Sequence, residues 1–141
     1  MIRPNHIFSI VESALTEMLW LENPGGLTSY KKRWTMHKIL DGPGVHFEPV
    51  ELRANNRYYD VIATSQFWMK KVSLVWHEGE QQNRWDLNPA KQRILDDTLG
   101  QAFDIRAVDL NNDGKKDFLV TYNAPKNGTA YAYELIGDDF R

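Results

Sequence analysis

The chain has 141 residues, 42% of them apolar and 26% charged, the balance of one ordinary globular domain with a single core (residues 1–141). With 17 Lys and Arg against 19 Asp and Glu the net charge is −2, which offers no basic surface to nucleic acid or to an anionic membrane. No apolar run reaches the roughly 18 residues that a membrane-spanning helix needs, and the absence of cysteine excludes disulfides, thiolate metal sites and cysteine nucleophiles.

In chain order, "MIRPNHIFSIVESALTEML" opens with one Arg but no unbroken apolar core. Asn5, His6, Glu12 and Glu17 interrupt it, so it makes a poor signal peptide. "IFSIVES" (7–13) and "EMLWLEN" (17–23) read as a hairpin, with an amphipathic helix over 7–21 as the alternative. "WTMHKIL" (34–40) and "VHFEPVEL" (45–52) read as strands. "DVIATSQFWMKKVSLVWHE" (60–78) holds two apolar, β-branched and aromatic runs around a polar middle, which predicts a hairpin. "RWDLNPAKQRIL" (84–95) and "FDIRAVDL" (103–110) continue the strand pattern. "DFLVTYNAPKNGTAYAYEL" (117–135) predicts a last hairpin around the turn residues "NAPKNG". In it Tyr131, Tyr133 and Leu135 face one way and Ala130, Ala132 and Glu134 the other.

These elements repeat. Trp20 and Trp76 are 56 residues apart, as are Glu22 and Glu78; Ile39 and Ile94 are 55 apart, and Asp60 and Asp117 are 57 apart. Four echoes in one order define a repeat of roughly 55 residues, a period that points to propellers or solenoids. Each unit reads as four strands: an inner one (45–52, 103–110), a hairpin, and an outer one carrying "WTMHKIL" or "RWDLNPAKQRIL". The units run over about 1–41, 42–96 and 97–141, the first beginning at its second strand and the last ending after its third. The expected fold is all-β, an incomplete β-propeller of about two and a half to three four-stranded blades.

Within the last unit, "DLNNDGKKDFLV" (109–120) sets oxygen donors at alternate places: Asp109, Asn111, Asp113, the Lys115 carbonyl and Asp117. Calcium takes six to eight oxygens at about 2.3–2.6 Å, and alternate positions in a tight loop turn successive oxygens inward. Gly114 permits the bend that a Cβ would oppose. Three carboxylates offset the charge of a divalent ion. An EF-hand would need a bidentate Glu at its twelfth place and a helix on each side. That place is Val120, inside strand-like "DFLVTY", so a helix-opening sensor is disfavoured. "NNDG" alone makes a good turn, but a plain turn does not call for Asp109 and Asp117 as well. The matching stretch "ELRANNRYYD" (51–60) keeps Glu51 and Asp60 but has Arg53 in place of Asn111 and no glycine, and reads as metal-free.

At these residues the chain resembles the FG-GAP/VCBS repeats of integrin-α-like β-propellers. Their mark is an apolar strand, then D-x-[DN]-x-D-G-x-x-D, then a second strand, here "IRAVDLNNDGKKDFLV"; "LWLENPGG" and "WTMHKILDGPG" resemble the Trp-containing tail of such repeats. The resemblance implies four-stranded blades with calcium between first and second strands. It implies a non-catalytic binding or scaffolding module with protein or carbohydrate partners, completed by further blades or by self-association through open blade faces. The alternative is part of a propeller enzyme acting on carbohydrate, of the polysaccharide lyase or sugar dehydratase type. No catalytic cluster supports it: His37, His46 and His77 lack paired metal-ligand spacing, and no serine sits in a nucleophile elbow. A calcium loop suits an extracellular setting, against which the poor signal peptide argues.

Overall fold

The computed structural model describes residues 6–7, 17–42, 46–78, 90–123, 129–137 and 139–141. Among them are ten β-strands, a single 3₁₀ turn at Ser29–Lys31 and no α-helix, as an all-β reading requires. Every strand pairs antiparallel with its neighbour in sequence, forming three small sheets, none of them closed. The first holds β1 (His6–Ile7), β2 (Glu17–Glu22) and β3 (Thr35–Asp41). The central one holds β4 (His46–Ala54), β5 (Arg57–Gln66), β6 (Lys71–Trp76) and β7 (Lys91–Asp96). The third holds β8 (Gln101–Val108), β9 (Asp117–Asn123) and β10 (Thr129–Tyr133).

Strand faces follow the period of two. In β9, Phe118, Val120 and Tyr122 are buried while Leu119, Thr121 and Asn123 are exposed. In β4, Val50, Leu52 and Ala54 are buried between exposed Glu51 and Arg53. The central hairpin breaks this rule: β5 is buried without interruption from Val61 to Gln66, and β6 from Val72 to Trp76. The cause is a sheet on each face. On one side Val61, Ala63, Val72 and Leu74 join Ala102, Ile105, Phe118 and Val120 of the third sheet. On the other, Ile62 and Val75 join Met18, Trp20 and Ile39 of the first.

The central and third sheets share a register in their ladders. Val61, the residue after Asp60, pairs with Trp76; Phe118, the residue after Asp117, pairs with Tyr133. Asp60 and Asp117 therefore occupy equivalent places in the second strands of two sheets, and Trp76 and Tyr133 in the third. The pairing skips one residue in the β2–β3 ladder, at Ile39, and one in the β6–β7 ladder, at Leu95, positions 56 apart. Of the expected strand 84–95 the described part is β7 from Lys91; 79–89 lie outside the described residues, as do 8–16 of the first expected hairpin and the turn 124–128.

Polar side chains lock the layers. Gln66, fully buried, donates through Nε2 to the Asp41 carbonyl at 3.3 Å and accepts at Oε1 from Ser73 Oγ and Gln92 Nε2. The adjoining Gly42 has φ +90°, a backbone angle that favours glycine, while the atom nearest to a Cβ there belongs to the flexible Met69 side chain, which can shift. Between the central and third sheets, Tyr122 donates to Asp96 at 3.0 Å and meets the Tyr133 hydroxyl. Burial, then the Tyr133 and Asp96 contacts, hold the Tyr122 phenol far above its usual range. Burial alone would raise the Asp96 carboxyl, but hydrogen bonds from Thr98, Leu99 and Tyr122 outweigh it and hold it below its usual range. Near the C-terminus Phe140, 2% exposed, sets its ring edge-on between Tyr59 and Trp76, and Arg93 Nη1 donates to its carbonyl at 2.6 Å.

Candidate metal centre

The first two strands of the central and third sheets are joined in different ways. β4 and β5 stay paired to Ala54 and Arg57 and turn on Asn55 and Asn56, whose φ values of 47° and 61° are those of a tight type I′ hairpin. β8 and β9 stop pairing at Val108 and Asp117, and residues 109–116 form a loop between them. The loop adopts left-handed backbone at Asn112 (φ 61°) and Gly114 (φ 84°). Nothing lies within 4 Å of a Cβ built at Gly114, so it is the backbone angle, not crowding, that favours glycine there.

All four oxygen-bearing side chains expected in the site fold onto this loop. Asp109 Oδ1 accepts from Asp113 N at 3.1 Å and Oδ2 from Gly114 N at 2.9 Å, drawing the loop around that carboxylate. Asn111 Oδ1 also accepts from Asp113 N, at 3.0 Å. Asp113 Oδ1 accepts from Lys115 N at 2.8 Å. Asp117, only 3% exposed at the start of β9, reaches back to accept from Leu110 N at 2.9 Å. The Lys115 side chain is exposed, and its ammonium donates to the Gly137 carbonyl at 3.4 Å. A carboxylate not anticipated from the sequence stands nearby: Glu134 Oε1 accepts from Asn111 Nδ2 at 3.2 Å. Only the loop's proximity to the chain leaving β10 reveals it.

The donor set suits a hard cation, being entirely oxygen and carrying three carboxylates within nine residues. Each carboxylate oxygen engaged by one N–H retains capacity for a second partner. The side chains are arranged around backbone N–H groups: among the described residues no group of three or more His, Cys, Asp or Glu is poised to hold a metal ion.

The histidines stay apart. His37 stacks on Trp20 with ring centroids 4.3 Å apart and contacts Glu22 at 2.9 Å. His46 Nδ1 lies 3.2 Å from Asp104, and His77 is buried beyond the end of β6. No protein-family model matches this chain, and neither a curated protein nor a solved structure matches it.

Proposed function

We propose that this chain is part of a calcium-stapled β-propeller of the FG-GAP/VCBS kind, serving as a non-catalytic binding or scaffolding module. The observation that carries the reading is the replacement, at equivalent hairpins, of a two-residue turn by an eight-residue loop rich in oxygen donors. The shared register around Asp60 and Asp117 and the face-to-face stacking of consecutive sheets support the propeller part. Calcium would be held by Asp109, Asn111, Asp113, the Lys115 carbonyl and Asp117, with water completing the shell. The ion supplies charge neutralisation to a loop that otherwise crowds three carboxylates together. Protein or carbohydrate would bind the assembled sheets, which further blades or self-association would extend.

An enzymatic reading has two His–carboxylate pairs to draw on among the described residues, His37–Glu22 at 2.9 Å and His46–Asp104 at 3.2 Å, and in the second the other ring nitrogen, His46 Nε2, is buried away from solvent.

Calorimetry and thermal melting with added calcium test the reading. Without the bidentate Glu and movable helices of a sensor, affinity should fall at roughly 10⁻⁵–10⁻³ M. An ion bound only by the folded state adds about 2.7 kcal/mol at a hundredfold excess over Kd. Asp113→Ala should remove the thermal shift, and magnesium, which demands a tighter octahedron at about 2.1 Å, should produce little of it. Neither heat nor thermal shift in millimolar calcium would reduce the loop to a turn.

A further inference from the structure

A cleft of about 270 Å³ opens between the tip of the β4–β5 hairpin, the loop at Gly114–Lys116 and the tail after β10. Leu52 and Phe140 close its base but are nearly fully buried, so the apolar surface open to a ligand comes from Tyr58, which is 60% exposed and pairs across the hairpin with Arg53. Around this apolar base stand Arg53, Lys115 and Lys116 against a single carboxylate, Glu51. Among the lining residues that is three cations against one anion; the carboxylates of Asp109, Asp113 and Asp117 stand behind them on the same loop. The cleft lies just under the roughly 300–1,000 Å³ of drug-sized sites, enough for one ring and one charged group.

Arg53 is also held in place. Its Nη2 donates to Asn56 Oδ1 at 2.7 Å, and Asn56 sits in the left-handed turn that fixes the hairpin tip. A guanidinium carries five N–H donors in a planar fork, so this anchor leaves donors for a carboxylate or phosphate. Lys116 adds an exposed ammonium from the facing loop.

We propose that this cleft is a binding site for a small organic anion, a carboxylate or phosphate ester attached to one ring. Arg53 and Lys116 take the charged group, and Tyr58 takes the ring. Because Gly114–Lys116 belong to the Asp109–Asp117 loop, the site has a calcium dependence that rests on the function proposed above. With the loop empty, three nearby carboxylates oppose an incoming anion; calcium offsets two of those charges. Anion and calcium should then strengthen each other's binding by the same factor.

The test uses the full chain, ¹⁵N-labelled, titrated with phenyl phosphate, with benzoate and with neutral phenol, first in chelator and then in calcium. Expected are saturable amide shifts confined to Leu52, Arg53, Tyr58 and Lys116, from at least one of the two anions and not from phenol. The comparison of phosphate with benzoate identifies the preferred anionic group. Arg53→Gln and Lys116→Gln should each weaken binding about tenfold, the loss of one charge-assisted hydrogen bond. Unchanged melting temperatures show that both variants still fold. Phenol binding as well as the anions, unchanged affinity in both variants, or no localised shift would each overturn the site. The chelator titration stands apart from the metal: absence of a calcium thermal shift sinks the staple, while unchanged anion affinity in a calcium-loaded chain sinks only the coupling.

Discussion

Phe140→Ala probes whether the tail is part of the core or merely rests on it. Phe140 is 2% exposed, and its ring meets Tyr59 at 5.5 Å and 70° and Trp76 at 5.2 Å and 83°. Truncating a buried Phe to Ala costs about 3–5 kcal/mol, and edge-on aromatic pairs add about 0.5–1.5 kcal/mol each. A limit acts in the other direction. The described tail 139–141 can detach as a unit, recovering about 1–2 kcal/mol of backbone entropy per freed residue, though Tyr59 and Trp76 are then wetted. The expected loss is therefore near the lower end, about 3 kcal/mol. At an unfolding entropy of about 2.1 cal/mol/K per residue, that lowers Tm by about 10 °C. Phe140→Leu, which keeps most of the volume, should lose about 1–1.5 kcal/mol. Urea denaturation measures both, with the slope m unchanged. A loss below about 1 kcal/mol for Phe140→Ala would refute the claim that the tail stabilises the central sheet.

At the hairpin tip, Asn56→Gly relieves a left-handed residue and should gain about 0.5 kcal/mol despite losing the Arg53 hydrogen bond; a loss above about 1 kcal/mol in denaturant titration would mean that bond dominates. Gln66→Met keeps volume but leaves the Asp41 carbonyl, Ser73 and Gln92 short of partners, so urea melts should show a loss of about 2 kcal/mol, and a neutral outcome would mean that water or a shifted side chain replaces the network. The Tyr122 phenol titrates higher folded than unfolded, so its contribution is full below about pH 10 and is lost as pH rises beyond the unfolded value. Asp96 titrates lower folded than unfolded, so its contribution is full above about pH 4 and is lost as pH falls. Denaturation midpoints from pH 8 to 11 should fall for the native chain and fall less for Tyr122→Phe; parallel slopes would exclude Tyr122 as the cause.

Local pattern carried much of what could be read from the sequence. Parity along the strand sets the faces of β9, where buried Phe118, Val120 and Tyr122 alternate with exposed neighbours, whereas Ala130, Tyr131 and Ala132 of β10 are all exposed. The 57-residue spacing of Asp60 and Asp117 matches their equivalent register, one residue before the Val61–Trp76 and Phe118–Tyr133 pairs. The oxygen donors of 109–117 were legible as a loop because they are consecutive in the chain and a glycine marks the bend.

What lies across the chain became visible only in three dimensions. Nothing in "ELRANNRYYD" separates a degenerate loop from a tight hairpin until β4 and β5 are seen paired to the Asn55–Asn56 turn, a register set by two strands together. Glu134 reaches Asn111 across 23 residues, and Phe140 enters between Tyr59 and Trp76 from the tail; both depend on which sheet packs on which. The unbroken burial of β5 and β6 has the same origin. A strand's own sequence sets which residues share a face, but how many faces are covered depends on the sheets stacked against it. The cleft at Arg53 and Lys116 exists for that reason too: its walls come from β4, the loop before β9 and the chain after β10, and only the stacking of the central and third sheets brings them together.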